Sequence, residues 1–232
     1  MSAKQDGKVK VAGISSEVAQ LIQIAQKASA DRSPGPMISV VFSVMWLEGY
    51  ANYLFETVAW YVETEVPKMP LRVRALADIG AELERHRAQL PEKIQLLSMT
   101  LRGRTFPRGS NPYQDFDLLL AIRNRVVHQR PSWHEAGKGL VAMDEPRKIR
   151  QGLIDRGLFD RKLVTMPYTI VLSKPEFGKW AYHTAYYMGR ALADCFPRGQ
   201  WRRWAHAANP LTPESARMYR RSTPVPRPTP EQ

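Results

Sequence analysis

Apolar residues along the 232-residue chain recur mostly at spacings of three and four rather than two, and prolines divide these runs into separate segments. The pattern predicts a helical protein. A first helix is expected to start at Ser15 or Ser16, whose hydroxyl can cap free amides. It carries Val18, Leu21, Ile22 and Ala25 on one face and ends at Ser33-Pro34-Gly35-Pro36. The longest segment, Met37 to Glu65, has Val41, Val44, Phe55, Ala59 and Val62 on a stripe that also carries Glu48 and Asn52. A third helix is expected from Leu71 to Leu90, with Leu76, Ile79 and Leu83 inward. Pro91 restarts a shorter one with Ile94, Leu97 and Leu101.

After a basic loop, Asn111-Pro112-Tyr113-Gln114 resembles a capping box, and the next helix is expected from Pro112 to about His128, just before Pro131. The pattern weakens between Ser132 and Leu172. A short helix within Pro146 to Leu158, ended by Gly157, and an extended segment from Tyr168 to Leu172 are the expectations there. Ser173-Lys174-Pro175-Glu176 has capping-box spacing. It opens a helix with Phe177, Trp180, Ala181, Thr184, Met188, Ala191, Leu192 and Cys195 along one stripe, closed by Phe196-Pro197. The fold class expected is therefore all-α, an up-and-down bundle of about five main helices with a short irregular or extended segment before the last. It divides into residues 1–14 as a flexible N-terminal segment, 15–196 as the helical domain, and 197–232 as a flexible tail. That tail is rich in arginine and proline and poor in apolar residues.

Composition narrows the chemistry. Lys and Arg total 34 against 22 acidic residues, a formal charge of +12, which favours phosphate-rich partners or acidic surfaces. A single cysteine, Cys195, excludes an internal disulfide framework and a Cys-rich zinc module, and it fits a reducing, cytoplasmic setting. Met1 to Gly13 carries lysines with no continuous apolar stretch after them, so no secretory signal is expected. The most apolar region is interrupted by Glu48, Asn52 and Glu56, so no membrane span is expected either. His86, His134, His183 and His206 lack zinc-site spacing, and neither a Gly-rich phosphate loop nor a Gly-x-Ser-x-Gly elbow occurs. No metal or other cofactor is expected.

The informative stretch is Phe116 to His128. At about 100° per residue, Phe116, Leu119, Leu120, Arg123 and Val127 share one apolar sector, so a guanidinium points where the helix buries itself. An unpaired buried arginine would cost several kcal/mol, about as much as the whole stability of a small domain. It therefore needs an acidic partner, an anionic ligand or a wet interface. Asp117, Asn124 and His128 share a polar flank, because residues four and seven apart stack along a helix. Arginine beside a titratable histidine suits phosphoryl chemistry without a metal: the guanidinium holds a phosphate while the imidazole moves protons.

The motif Arg123-Asn124-x-x-x-His128 near the end of an apolar helix resembles the HEPN superfamily of helical-bundle proteins. The hallmark of that superfamily is Arg, four to six residues, then His, often with a polar residue directly after the arginine. The resemblance implies metal-independent RNA cleavage at a site shared across a homodimer, in toxin–antitoxin, phage-defence or RNA-processing settings. It assigns proton transfer to His128, phosphate stabilisation to Arg123 and an orienting role to Asn124. Glu48 and Asn52 match the polar residues of the facing bundle helix, with Glu48 the expected resting partner of Arg123. The departure lies downstream, where Gln129-Arg130-Pro131 follows the histidine and many relatives place a small residue.

Arg102, Arg104 and Arg108, directly before the motif helix, form a basic funnel and with Arg125 and Arg130 are the expected RNA contacts. Trp201-Arg202-Arg203-Trp204 can stack on bases and grip phosphates, or can pack two tryptophans onto the bundle. The expected partners are RNA, a second copy of the chain, and an antitoxin or other protein. The alternative function is a non-catalytic helical module that binds RNA or protein. A DNA-binding reading lacks a recognition helix with base-reading residues.

Overall fold

A computed structural model describes residues 19–31, 34–65, 69–128, 147–163 and 172–208. Among the described residues the chain is all-α and contains no strand. Helix α1 covers residues 19–30. It is followed by α2 (Gly35–Glu63), α3 (Leu71–Arg85), α4 (Leu90–Arg102), α5 (Tyr113–Val127), α6 (Arg147–Asp155), α7 (Pro175–Ala193) and α8 (Gln200–Ala207). A 3₁₀ turn spans Arg161–Leu163. The expected start of α1 at Ser15 or Ser16 and most of the expected extended segment, 164–171, lie outside the described residues.

The central element is α2, which packs against α3, α4, α5 and α7. Val40, Trp46, Leu47, Tyr50, Ala51, Leu54 and Val58 are each 0% exposed, and together they occupy more than one face of the helix. A helix covered on several sides is apolar nearly all round. Of the expected stripe only Val44 and Phe55 are fully buried, while Val41, Ala59 and Val62 are half-buried. The first turns of α2 and α7 lie together: Ser39 Oγ donates to the Gly178 carbonyl at 3.0 Å. A Cβ on Gly178 would stand 3.0 Å from both Pro36 Cα and Ser29 Cα, so the missing side chain is what lets these backbones meet. The α7 stripe is buried as expected except for half-buried Ala191, and Tyr182, Ala185 and Tyr186 extend it.

Helix ends explain where the expected boundaries move. α3 stops at Arg85 rather than Leu90, because Arg87 adopts φ +50° and the Ala88 and Arg87 amides donate back to the carbonyls of Leu83 and Glu84. That is a Schellman stop built on arginine, without the glycine that usually signals one. α6 ends in the same arrangement on Gly157 (φ +66°), close to the expected place. α4 begins with a capping box between Gln89 and Glu92. The two capping boxes expected at Asn111 and Ser173 do not form. α5 and α7 start after Pro112 and Lys174 without a side-chain cap, and Asp115 and Glu176 place negative charge in their first turns.

The largest correction is α8. A flexible tail was expected from residue 197, yet residues 200–207 are helical and dock on the bundle. Trp201 stands edge-on to Tyr61 at 5.5 Å, Trp204 edge-on to Phe196 at 5.5 Å, and Tyr50 Oη donates to the Ala205 carbonyl at 2.8 Å. Of the two readings of Trp201-Arg202-Arg203-Trp204, the packing of both tryptophans onto the bundle is the one observed, and composition averaged over the tail obscures that residues three apart share one helix face. Residues 209–232 lie outside the described set.

Candidate functional site

The motif helix, α5, buries Phe116, Leu119 and Ile122 completely and Leu118 to 8% exposure. Its buried face is therefore rotated from the expected sector toward Leu118 and Ile122. The cause is α6, whose Gly152 lies against the Leu118 methyl groups. Asp115 ion-pairs with Arg156 just beyond α6, and Arg156 Nη1 also donates to the Gly152 carbonyl at 2.9 Å, which fixes the two elements together. Val127, expected inside the sector, is 46% exposed.

Arg123 consequently sits at the margin of the buried face. Its Nη1 donates to Asn124 Oδ1 at 3.0 Å near the surface, while its Nε is fully buried with no hydrogen-bond partner. Among the described residues it is the one guanidinium nitrogen in that condition. Asn124 thus fixes the arginine fork directly. His128 is the C-cap of α5: its amide donates to the Asn124 carbonyl at 2.9 Å, and its side chain is exposed. The structure therefore brings Arg123 and Asn124 together through their side chains, and His128 follows one turn on.

Several expected supports are placed elsewhere. Among the described residues no ion pair joins Glu48 to Arg123 or to any other cation, so the resting bridge is not formed. Asn52 accepts from Lys93 Nζ at 2.8 Å, because Lys93, only 7% exposed on α4, needs an acceptor where α4 crosses α2. Asp117 is exposed and makes no side-chain hydrogen bond with Asn124 or His128. Partial loss of hydration raises its carboxyl above the usual carboxylate value, with Arg108 pulling the other way. Arg125 is exposed on α5, and Arg130 lies outside the described residues.

The basic funnel is corrected as well. Arg102 and Arg104 open into a cleft that also contains Tyr113, the first residue of α5, whereas His128 follows its last. The 15 residues of α5 separate the two by roughly 22 Å along the axis, at 1.5 Å per residue. Residues adjacent in sequence to a helix's start are a helix length away from its end. Arg72 and Arg202 line the same cleft: Arg202 belongs to the Trp201–Trp204 stretch that the sequence marks, whereas nothing local marks Arg72.

Among the described residues no three His, Cys, Asp or Glu side chains are grouped to hold a metal, and no helix is long and apolar enough to cross a membrane. Comparison with protein-family models, with curated proteins and with solved structures returns no match for this chain.

Proposed function

We propose that the chain is a metal-independent endoribonuclease of HEPN type, acting on single-stranded RNA as a homodimer. The observation that carries this reading is the Arg123 guanidinium, with Nε buried and unpartnered, Nη1 held by Asn124, and an exposed histidine one turn away. A buried donor without an acceptor costs about 1–3 kcal/mol, more when charged, and an anionic oxygen at the site removes that cost. Phosphate is the anion that a guanidinium fork beside an imidazole suits best.

In this mechanism His128 takes the proton from the RNA 2′-hydroxyl, whose oxygen attacks the adjacent phosphorus. Arg123 neutralises the charge that gathers on the phosphorane oxygens. The bond to the 5′-oxygen breaks, and that oxygen is protonated by a second imidazole. A twofold contact supplies it as His128 of another copy. The products are a 2′,3′-cyclic phosphate and a 5′-hydroxyl. Asn124 holds the fork in the orientation that meets the phosphate. A cytoplasmic toxin or phage-defence role fits the chemistry and belongs to the proposal.

The test uses purified full-length protein with EDTA present. His128→Ala is expected to lower RNA cutting by about 10²–10⁴-fold, and Arg123→Ala by about 10²–10³-fold. RNA binding is retained in both. Binding without any cutting by the wild-type chain would instead assign a non-catalytic RNA-binding module.

A further inference from the structure

A cleft of about 870 Å³ opens at the end of the bundle where α4 and α7 finish and α5 begins. Four arginines from separate parts of the chain converge on it: Arg72 in the first turn of α3, Arg102 at the end of α4, Arg104 in the following loop, and Arg202 in α8. One carboxylate, Asp194, faces them and is already paired with His206 at 3.0 Å.

The four cations are not equally engaged. Arg202 donates through Nε and Nη2 to the Phe196 carbonyl at 3.0 and 2.9 Å and through Nη2 to the Asp194 carbonyl at 3.0 Å, which locks it into the cleft wall. Arg72 makes one long bond of 3.4 Å to the Leu101 carbonyl. Arg102 lies over the Phe106 ring at 5.8 Å, and among the described residues no ion pair neutralises it or Arg104.

Nor is the loop that carries Arg104 loosely held. Gly103 at φ +72° turns the chain out of α4, Ser98 Oγ donates to the Arg104 carbonyl at 2.8 Å, and Gln95 Oε1 accepts from the Phe106 amide at 2.8 Å. Like charges held at one opening repel one another, and that repulsion falls when an anion enters. Guanidinium forks match phosphate oxygens two at a time. Ser110 and Asn111 add neutral polar groups, and the stacked Phe106–Tyr113 pair supplies an apolar wall. The cavity lies within the size range of small-ligand sites.

We infer that this cleft binds the phosphate of a nucleotide, either free or within an RNA strand, at a place distinct from the Arg123–His128 motif. The inference does not depend on the nuclease reading, because the cleft stands at the other end of α5.

Calorimetric titration of the full chain with ADP, and separately with a short 5′-phosphorylated single-stranded oligoribonucleotide, tests it. At least one of the two probes binds, and the Arg102→Ala/Arg104→Ala double variant weakens that binding at least about tenfold and flattens its salt dependence. Arg85→Ala, an exposed residue at the end of α3 outside the cleft, stays within about twofold of wild type. Binding of ADP assigns a free-nucleotide site, and binding of the oligoribonucleotide alone assigns strand phosphates. Arg102→Lys/Arg104→Lys keeps the charge and serves if the alanine pair lowers the melting temperature: it too binds more weakly, because the forks are gone. His128→Ala binds both probes as wild type does, so loss of cutting and loss of cleft binding remain separable. Binding of neither probe, or equal weakening by Arg85→Ala and the double variant, overturns the inference.

Discussion

Arg123 Nε is a charged donor sealed from water without an acceptor, and proteins seldom keep such a group for stability alone. Replacing Arg123 with Met removes the unsatisfied donor and keeps much of the side-chain volume. This variant is expected to be as stable as wild type or more stable by about 0.5–2 kcal/mol while losing RNA cutting, which thermal melting and a cleavage assay read together. A second residue-scale expectation concerns His183, which is 8% exposed. Burial, with Lys179 one turn away adding to it, pushes its imidazole down to about 4 from the ordinary 6.5. The folded state therefore holds His183 neutral where the unfolded chain would protonate it. This contribution is complete above pH 6.5 and is lost as pH falls from there through 4. The loss reaches about 2–3 kcal/mol by pH 4, and His183→Gln flattens that part of the stability–pH curve in urea melts at stepped pH.

Helices were legible where periodicity and glycine or proline punctuation agreed. Gly157 marked the end of α6, Pro91 the start of α4, and the α7 stripe was readable almost residue by residue. They were misread where a common residue does an uncommon job: Arg87 adopts a left-handed turn that no local signal announces, and Ser173 and Asn111 have the spacing of caps without capping. The burial of α2 on several sides also hid its true faces, because two overlapping stripes do not show one period. Two contacts between helices carry predictions. Gly178→Ala gains about 1 kcal/mol of helix propensity but drives a methyl group into the backbones of Ser29 and Pro36, so a net destabilisation of about 1–3 kcal/mol is expected. Tyr50→Phe leaves the Ala205 carbonyl without its donor and is expected to cost about 1–2 kcal/mol. Both are read from urea midpoints, and a Gly178→Ala protein more stable than wild type would contradict the close contact described.

Over the whole molecule, the all-α architecture follows from patterning alone, whereas the relations between distant segments do not. That Arg72, Arg104 and Arg202 face one cleft, that Lys93 holds Asn52, and that Arg102 and Arg104 stand a helix length from His128 are all products of tertiary packing. Charge excess pointed to anionic partners without saying where on the surface they sit. The Arg123–Asn124 contact was nearer to hand, because adjacent residues on one helix need no fold to bring them together. We propose above that the Arg123–His128 motif catalyses transesterification of an RNA phosphate. The most direct test of that proposal is the end chemistry of single-stranded RNA incubated in EDTA with the purified full-length chain. Fragments ending in 2′,3′-cyclic phosphate and beginning with 5′-hydroxyl are the expected result, with DNA of the same sequence left whole. RNA that stays intact, or fragments that begin with a 5′-phosphate, would rule out the proposed chemistry at His128.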